Sequence, residues 1–272
     1  MRRESLQWIV PVVLALGVVA ALWFYWSRTR APEPPPEPAT QAPEPVPEEE
    51  APAGPAHPLP PPEPAAQEEK QLEPLPPLDQ SDEYFGMALT GLFGDALDQY
   101  LVKQRLIERI VAAVDNLPRE QLAERIKPLT PVPGRFAAQS KGDVADERYT
   151  LDPANYERYE PLVNMLAETG TADMVELYQR FYPLLQKAYV DLGYPDGYFN
   201  DRVVEVIDHL LATPEVEGPI ELVRPNVLYE YADPELEALS TGQKALLRTG
   251  PENMAVIKAK LREFRTLITR EN

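Results

Sequence analysis

The sequence contains no cysteine and only two histidines, His57 and His209. Without thiolates, the chain cannot form disulfides, thiolate metal sites or a cysteine nucleophile. A zinc motif with two histidines on one helix is also excluded, because His57 lies in a proline-rich tract far from His209. The sequence has no glycine-rich phosphate loop and no Gly-x-Ser-x-Gly elbow. No catalytic residue, metal ligand or cofactor is therefore predicted, and a non-enzymatic role is favoured.

An apolar run from Leu6 to Trp26 opens the chain and carries no charge over its 21 residues. About 20 helical residues span the hydrocarbon core of a bilayer, so the run predicts one transmembrane helix over residues 6–26. Tryptophans near both ends, among them Trp8, favour the headgroup level. A cleaved signal peptide would have a shorter apolar core followed by small residues, whereas this run ends in aromatic residues before Arg28. An uncleaved anchor is therefore preferred.

The orientation of this helix is predicted from the charges around it. Two arginines precede it and two follow it, so the positive-inside count is close to a tie. The short N-terminal tail and the acidic chain that follows favour a cytoplasmic tail of residues 1–5 and an exported C-terminal domain. We therefore expect a single-pass protein of the inner (cytoplasmic) membrane, N-in, with its C-terminal domain in the periplasm.

An acidic, proline-rich stalk is predicted over residues 27–80. Between residues 31 and 80 the chain has eighteen prolines, eleven carboxylates and one lysine. Proline removes backbone donors and unbalanced charge opposes collapse, so this stalk is expected to be disordered with polyproline II character and to reach roughly 150 Å if fully extended. Its clusters Pro34–Pro36 and Pro60–Pro62 could bind a proline-recognition module, but no basic residue flanks them, so a spacer is preferred. His57 has no assigned role.

Residues 81–272 predict a mainly α, compact multi-helix domain with a minor antiparallel β patch, of about seven or eight helices. Ser81 is a plausible N-cap for the first helix. A broad apolar face predicts a long, central helix over Asp95–Asn116, and Pro118 is expected to open a short helix. The strand candidates are Arg135–Gln139 and Glu147–Leu151, joined as a hairpin, with Ile220–Val223 and Val227–Tyr231.

One polar and aromatic segment, Gly193–Arg202, joins two predicted helices and is the candidate binding surface. With the helix that follows, it contributes Tyr194, Asp196, Tyr198, Asn200, Asp201, Arg202, Glu205 and His209. Asp201, Glu205 and His209 are spaced four apart, on one helical face, so they could bind a divalent metal or form a general base with an orienting acid. The structural alternative is a turn over Tyr194–Gly197 with Asn200 or Asp201 capping the helix. Tyr198 and Arg202 are treated as exposed.

The charge distribution limits the possible partners. A net charge of −18 makes nucleic-acid binding improbable. The last helix is locally basic, with Lys258, Lys260, Arg262, Arg265 and Arg270. This strip could contact an anionic polymer or a lipid, but a solvated face with pairing to Glu263 is the preferred interpretation.

Several motifs resemble the family called domain of unknown function 3014. They are Val114–Arg119, Gly193–Arg202 with the following Val203–Leu211, Leu222–Pro225 with Ala232–Glu237, and Leu246–Asn253. Together they cover nearly all of residues 75–272. The resemblance implies a proteobacterial protein with an N-terminal membrane segment and a proline-rich tract. It implies no activity and transfers no catalytic residue.

Three hypotheses for function remain open at this point. The first is an envelope protein whose helical domain, displayed in the periplasm on a long stalk, serves as a binding or scaffold module for a periplasmic protein or a cell-wall component. The second is an Asp/Glu- or metal-dependent envelope hydrolase acting at the segment Tyr194–His209. The third is an assembly subunit that oligomerises through an exposed helical face, although the sequence does not predict an oligomeric state.

Overall fold

The computed structural model describes residues 54–61, 74–140 and 148–269. Within these ranges the α-helices are α1 (Asp82–Phe93), α2 (Leu106–Asn116), α3 (Ala154–Glu157), α4 (Glu160–Glu168), α5 (Thr171–Leu192), α6 (Phe199–Leu211), α7 (Pro234–Glu237), α8 (Thr241–Thr249) and α9 (Pro251–Ile268). The tail of residues 1–5 and the predicted transmembrane helix 6–26 lie outside them. Among the helices that are described, none combines the length and apolar character needed to cross a bilayer.

The four strands form one small antiparallel sheet in the order β1-β2-β3-β4. They are β1 (Ala138–Ser140), β2 (Arg148–Leu151), β3 (Glu221–Val223) and β4 (Glu230–Tyr231). In the register, Ala138 pairs with Leu151, Tyr149 with Leu222, and Leu222 with Tyr231. The predicted class, mainly α with a minor antiparallel β patch, is confirmed for the described part of the chain. The sheet also joins the two predicted strand pairs, which sequence patterns alone do not connect.

Helix α6 lies between two hydrophobic cores. Val203, Val204 and Ile207 pack into a first core built with α1, α2 and α5. Val206 and Leu210 pack into a second core under the sheet, with α8 and α9. Because adjacent faces of one helix are buried in two different cores, the position and rotation of α6 are strongly constrained. Its first turn is therefore held firmly at the surface where the candidate residues lie.

The long helix predicted over Asp95–Asn116 is wrong in its first half. Residues Asp95–Gln99 form a 3₁₀ helix, and α2 begins only at Leu106, after Arg105 adopts a left-handed φ of 53°. The carboxylate of Asp82 accepts the backbone N–H groups of Arg105 and Leu106, at 2.8 and 2.7 Å. A side chain distant in sequence thus satisfies the free donors at the start of α2, and apolar periodicity cannot reveal it.

Two further local predictions also fail. The helix expected after Pro118 is reduced to a 3₁₀ turn over Glu124–Ile126. Ser81 does not cap α1, because its hydroxyl donates back to the carbonyl of Leu78 at 2.7 Å. The Ser81 contact is local, whereas after Pro118 the carbonyl of Arg119 accepts the N–H of the distant Thr241 at 2.8 Å.

The basic strip of α9 is used inside the domain. Lys258 is buried, and its Nζ donates to the carbonyl of Thr213 at 2.6 Å. The guanidinium of Arg265 makes two hydrogen bonds to Asp208, at 2.6 and 2.9 Å. The preferred interpretation of a solvated face is therefore wrong for Lys258, whereas Arg265 forms its ion pair at the domain surface. Arg270 lies outside the described residues.

Parts of the predicted stalk pack against the helical domain. Leu59, Leu75 and Leu78 contribute to the first core, and residues Leu78–Gln80 form a 3₁₀ turn. Residues 54–61 and 74–80 of the predicted stalk thus contact the domain in this structure, whereas residues 27–53 and 62–73 lie outside the described ranges. Burial of leucine favours docking, and proline reduces the entropy that an extended segment loses when it docks.

Candidate functional site

The connection between α5 and α6 is a tight, aromatic turn. Helix α5 ends at Gly193, whose φ of 122° is accessible mainly to glycine. The N–H of Gly197 donates to the carbonyl of Tyr194 at 3.1 Å, which closes the turn predicted over Tyr194–Gly197. The ring of Tyr194 stacks on Tyr189 with centroids 4.6 Å apart. A Cβ atom at Gly197 would lie 2.9 Å from Tyr189, so this turn requires a glycine there.

Asn200 is buried and organises the start of α6 from within. The hydroxyl of Tyr178 donates to its Oδ1 at 3.0 Å, and its Nδ2 donates to the carbonyls of His57 at 2.8 Å and Ile268 at 3.3 Å. Burial raises the pKa of Tyr178, and the nearby charges of Tyr182 and Asp201 raise it further. Tyr178 therefore stays neutral and keeps its proton as a donor. Asn200 does not cap α6.

Asp201 lies in the first turn of α6 and binds the backbone of a distant segment. Its Oδ2 accepts the N–H of Ala56 at 2.9 Å, and its Oδ1 accepts the N–H of His57 at 2.6 Å. A carboxylate is favourable at a helix N-terminus, and hydrogen bonds to an ionised acceptor are stronger than neutral ones. Asp201 therefore does not cap its own helix, as the structural alternative expected, but holds two consecutive amides of another segment.

We call residues 54–61, with the sequence Gly-Pro-Ala-His-Pro-Leu-Pro-Pro, the docking segment. Besides the contacts to Asn200 and Asp201, the Nε2 of Gln179 donates to the carbonyl of Pro60 at 2.9 Å. All of these hydrogen bonds reach main-chain groups of the segment. Leu59 adds an apolar contact with the first core. The surface formed by Gln179, Asn200 and Asp201, which we call the docking surface, thus binds an extended backbone with one apolar anchor.

Arg202 is not the exposed residue that the sequence suggested. Its side chain is 16% exposed, and its Nε and Nη2 donate to the carboxylate and the carbonyl of Asp115, at 3.0 and 2.6 Å. Its Nη1 pairs with Glu205 at 2.7 Å. Burial lowers the pKa of Arg202, but the hydrogen bond and charge of Glu205 and the charge of Asp115 outweigh it, so the net shift is upward. Arg202 therefore ties α6 to α2.

A cavity of about 340 Å³ lies beside the docking segment. Its lining is Gly54, Ala56, Tyr189, Asp196, Gly197, Tyr198, Asp201, Arg202 and Glu205. Five of the eight predicted surface residues are thus brought together around one cavity. Of the other three, Tyr194 is turned toward Tyr189 and Asn200 lies inside the domain.

The third, His209, is separated from the proposed metal face. Its Nε2 lies 2.8 Å from the hydroxyl of Ser240, which also caps α8 in a capping box with Gln243. The two carboxylates of that face have other partners: Glu205 pairs with Arg202, and Asp201 accepts two backbone N–H groups. Across the described ranges, no group of three or more His, Asp or Glu side chains could hold a metal ion. His209 here connects α6 to α8.

Sequence reasoning missed two residues of α5, Gln179, which binds the docking segment, and Tyr178, which donates to Asn200, and it missed the segment itself. Gln179 and Tyr178 carry no motif, and their roles depend on the fold. Leu59, an apolar residue between two prolines, is the signal that could have identified the segment. Pro60–Pro62 was considered as a ligand for a proline-binding module and set aside for lack of a basic neighbour.

Comparisons with known proteins give one match. Residues 106–265 match the family described as Protein of unknown function (DUF3014). No curated protein and no solved structure shows significant similarity to the chain. The matched range contains the docking surface but not the docking segment. Because the match spans more than half of the 272 residues, the chain belongs to the family DUF3014, the domain of unknown function 3014.

Proposed function

We propose that this protein is a membrane-anchored, non-enzymatic binding module whose docking surface holds an extended, proline-containing polypeptide segment. One observation carries the proposal: residues 54–61 are seated on that surface through Asp201, Asn200 and Gln179. The chain's own segment occupies the docking surface in this structure, and in our proposal a similar segment of another polypeptide binds to the same surface.

The chemistry of the contacts supports binding of a class of segments. Proline-rich chains are already extended before they bind, so they lose little conformational entropy on binding. Asp201 requires two consecutive backbone N–H groups, which Ala56 and His57 provide between Pro55 and Pro58. The hydrogen bonds do not depend on the segment's side chains, so the sequence preference comes from the prolines and from the apolar anchor Leu59.

The membrane anchor is part of the proposal. The apolar residues 6–26 are long enough to span a bilayer, and the acidic chain after them favours export of the domain. Such an anchor would display the docking surface in the periplasm, where the partner is a protein or a peptide-bearing cell-wall component. A reporter that is active only outside the cytoplasm, fused after Asn272, is expected to be active. A signal from a cytoplasm-only reporter at that position would reverse the orientation.

The alternative of an Asp/Glu- or metal-dependent hydrolase has no supporting observation. Both oxygens of Asp201 accept backbone amides, and Glu205 is paired with Arg202. A general base needs a free oxygen within hydrogen-bond reach of its substrate. Asp201 offers none in this arrangement, and within the described part of the chain no histidine or second acid is hydrogen-bonded to the paired Glu205 to orient it.

Binding in trans tests the proposal directly. A labelled peptide with the sequence of residues 54–61 is titrated against the full chain carrying Leu59→Ser, which weakens the chain's own docking by removing its apolar anchor. We expect saturable binding, weaker binding to the unsubstituted chain because the tethered segment competes, and none for a peptide whose prolines are alanines. Absence of binding to the Leu59→Ser chain at millimolar peptide would refute the proposal.

A further inference from the structure

We infer that the partner segment of the docking surface carries a lysine or arginine at the position of Ala56, and that the chain's own segment is a weaker placeholder for it. The inference rests on the proposed function and names the class of ligand for the same site. Its basis is the space beside Ala56, the charge around that space, and the composition of the tract that supplies the placeholder.

The space is the cavity of about 340 Å³ that Gly54 and Ala56 help to line. This cavity is open to solvent. Asp201 holds the backbone of Ala56 by accepting its N–H at 2.9 Å, and Ala56 is itself one of the residues that line the cavity. A single methyl group leaves the cavity unfilled, whereas a long side chain from the same position can extend through it.

The polar lining of this cavity is acidic. Asp196 and Glu205 contribute exposed carboxylates, and Asp201 contributes a third that is already bound to amides. The one cation of the lining, Arg202, is held by Asp115 and Glu205 and is only 16% exposed, so Asp196 is not neutralised. An incoming ammonium or guanidinium therefore meets an excess of negative charge.

The remaining lining suits the stem of a long cationic side chain. Tyr189 and Tyr198 supply phenol rings, and Gly197 supplies bare backbone. Lysine and arginine bury their methylene stems against apolar surface while the charged head stays near water, and the faces of aromatic rings attract cations. A hydrophobic side chain would fill the same space but would leave the carboxylates without a partner.

The chain's own tract does not contain this ligand in the required form. Within residues 27–80 the cations are Arg28, Arg30 and Lys70. Arg30 precedes Pro32-Glu33-Pro34 by two positions, but that unit has no apolar anchor, and the Pro-Leu-Pro unit after Lys70, residues 74–76, begins four positions after it instead of two. The full pattern, a basic residue two positions before Pro-Leu-Pro, therefore has to come from another polypeptide. A second copy of this chain would place the same alanine at this position, so its segment would bind no more tightly than the chain's own segment.

The test compares labelled peptides on the full-length chain carrying Leu59→Ser. The reference peptide has the sequence of residues 54–61, and the others replace its alanine by arginine, lysine, glutamine or glutamate. Because the carboxylates are exposed, each pair contributes modestly, so we expect the arginine and lysine peptides to bind about three- to tenfold tighter than the reference. Glutamine, of similar length but neutral, should gain little, and glutamate should bind more weakly than the reference.

A charge-neutralised chain shows where the preference arises. Asp196→Asn combined with Glu205→Gln should reduce the advantage of the arginine peptide over the glutamine peptide, both measured on this variant, to less than about twofold. Asp173→Asn is the matched control, since it removes an exposed first-turn carboxylate of α5 that does not line the cavity. With that control, the full preference for arginine should persist, and it should fall with added salt.

The outcomes separate the two proposals. Equal binding of the arginine, alanine and glutamate peptides would overturn the basic-residue inference while the proposed function stands. No binding of any peptide would remove the proposed function itself. Association of copies through residues 54–61, seen as a concentration-dependent mass that the arginine peptide does not reduce, would identify a second copy as the occupant and also overturn the inference.

Discussion

Removal of the Asp201 carboxylate gives the sharpest test of cis docking. Asp201→Ala deletes the acceptor of the Ala56 and His57 amides, which it binds at 2.9 and 2.6 Å. A hydrogen bond to a charged group contributes about 1.5–3 kcal/mol when buried, and we take about 1 kcal/mol for each of these two because Ala56 is exposed. The docked state should therefore lose about 2 kcal/mol, roughly a 30-fold change in its equilibrium constant.

The global stability of the domain should change far less. The substitution also removes a negative charge from the N-terminus of α6, which costs about 0.3–1 kcal/mol. The buried side chains of the cores on both sides of α6, among them Val204 and Ile207, are not changed by the substitution, and the docking segment contributes the partly buried Leu59 to the first core. The expected signature is loss of docking with the helix intact.

Amide hydrogen exchange measures both effects in one sample. Between Pro55 and Pro61 the only residues with a backbone N–H are Ala56, His57 and Leu59, so exchange of this stretch reports mainly on the two Asp201 bonds. We expect protection there to fall about 30-fold while the amide of Val204 changes by less than about fivefold. Asp173→Ala, in the first turn of α5, should change neither.

Two results would refute this account. Unchanged protection of Ala56 and His57 in the Asp201→Ala chain would mean that the carboxylate does not hold the segment. A parallel fall of protection at Val204 would mean that the segment loosens because the whole domain unfolds. Either outcome would also remove the structural basis for a docking surface at this position.

Other predictions concern the scaffold around the site. Asp115→Ala leaves Arg202 partly buried without the carboxylate that it binds, so the free energy of unfolding measured in urea should fall by about 3 kcal/mol. An unchanged free energy of unfolding would contradict the role of this ion pair. Gly250→Ala should cost more than about 2 kcal/mol, because φ is 88° and a Cβ would lie 2.4 Å from the ring of Tyr156; a melting temperature within a degree of the parent would contradict this. The pKa of Tyr178 is raised in the folded state, so this tyrosine ionises first in the unfolded state, and the free energy of unfolding should fall as the pH rises above 10. Tyr178→Phe should make this fall with pH less steep. The same steepness in the variant and the parent would contradict the prediction.

Local sequence patterns predicted the elements whose signals are local. The two helices on either side of the polar connection and the turn over Tyr194–Gly197 depend on a few neighbouring residues. The same patterns failed for Asp95–Asn116, because the start of α2 is set by Asp82, a residue remote in sequence. A capping contact between residues so far apart in sequence has no effect on the apolar periodicity from which helices are predicted.

The structure brings five of the candidate residues around one cavity, but their contacts could not be derived from the sequence. Spacing placed Asp201, Glu205 and His209 on one helical face, and that geometry holds for any helix. Which partner each side chain takes depends on other elements: the docking segment for Asp201, Arg202 for Glu205, and Ser240 for His209. The metal hypothesis therefore failed for tertiary reasons.

By itself, the sequence determined the mainly helical class, the family, the acidic proline-rich composition and the position of the polar and aromatic connection before α6. These properties follow from composition, periodicity and short motifs, which act over a few residues. Tertiary structure alone decided that Ala56 and His57 meet Asp201, that Arg202 is buried against Asp115, and that five candidate residues share one cavity. Contacts between residues more than 80 positions apart depend on how both cores position α6, and no local pattern carries that information.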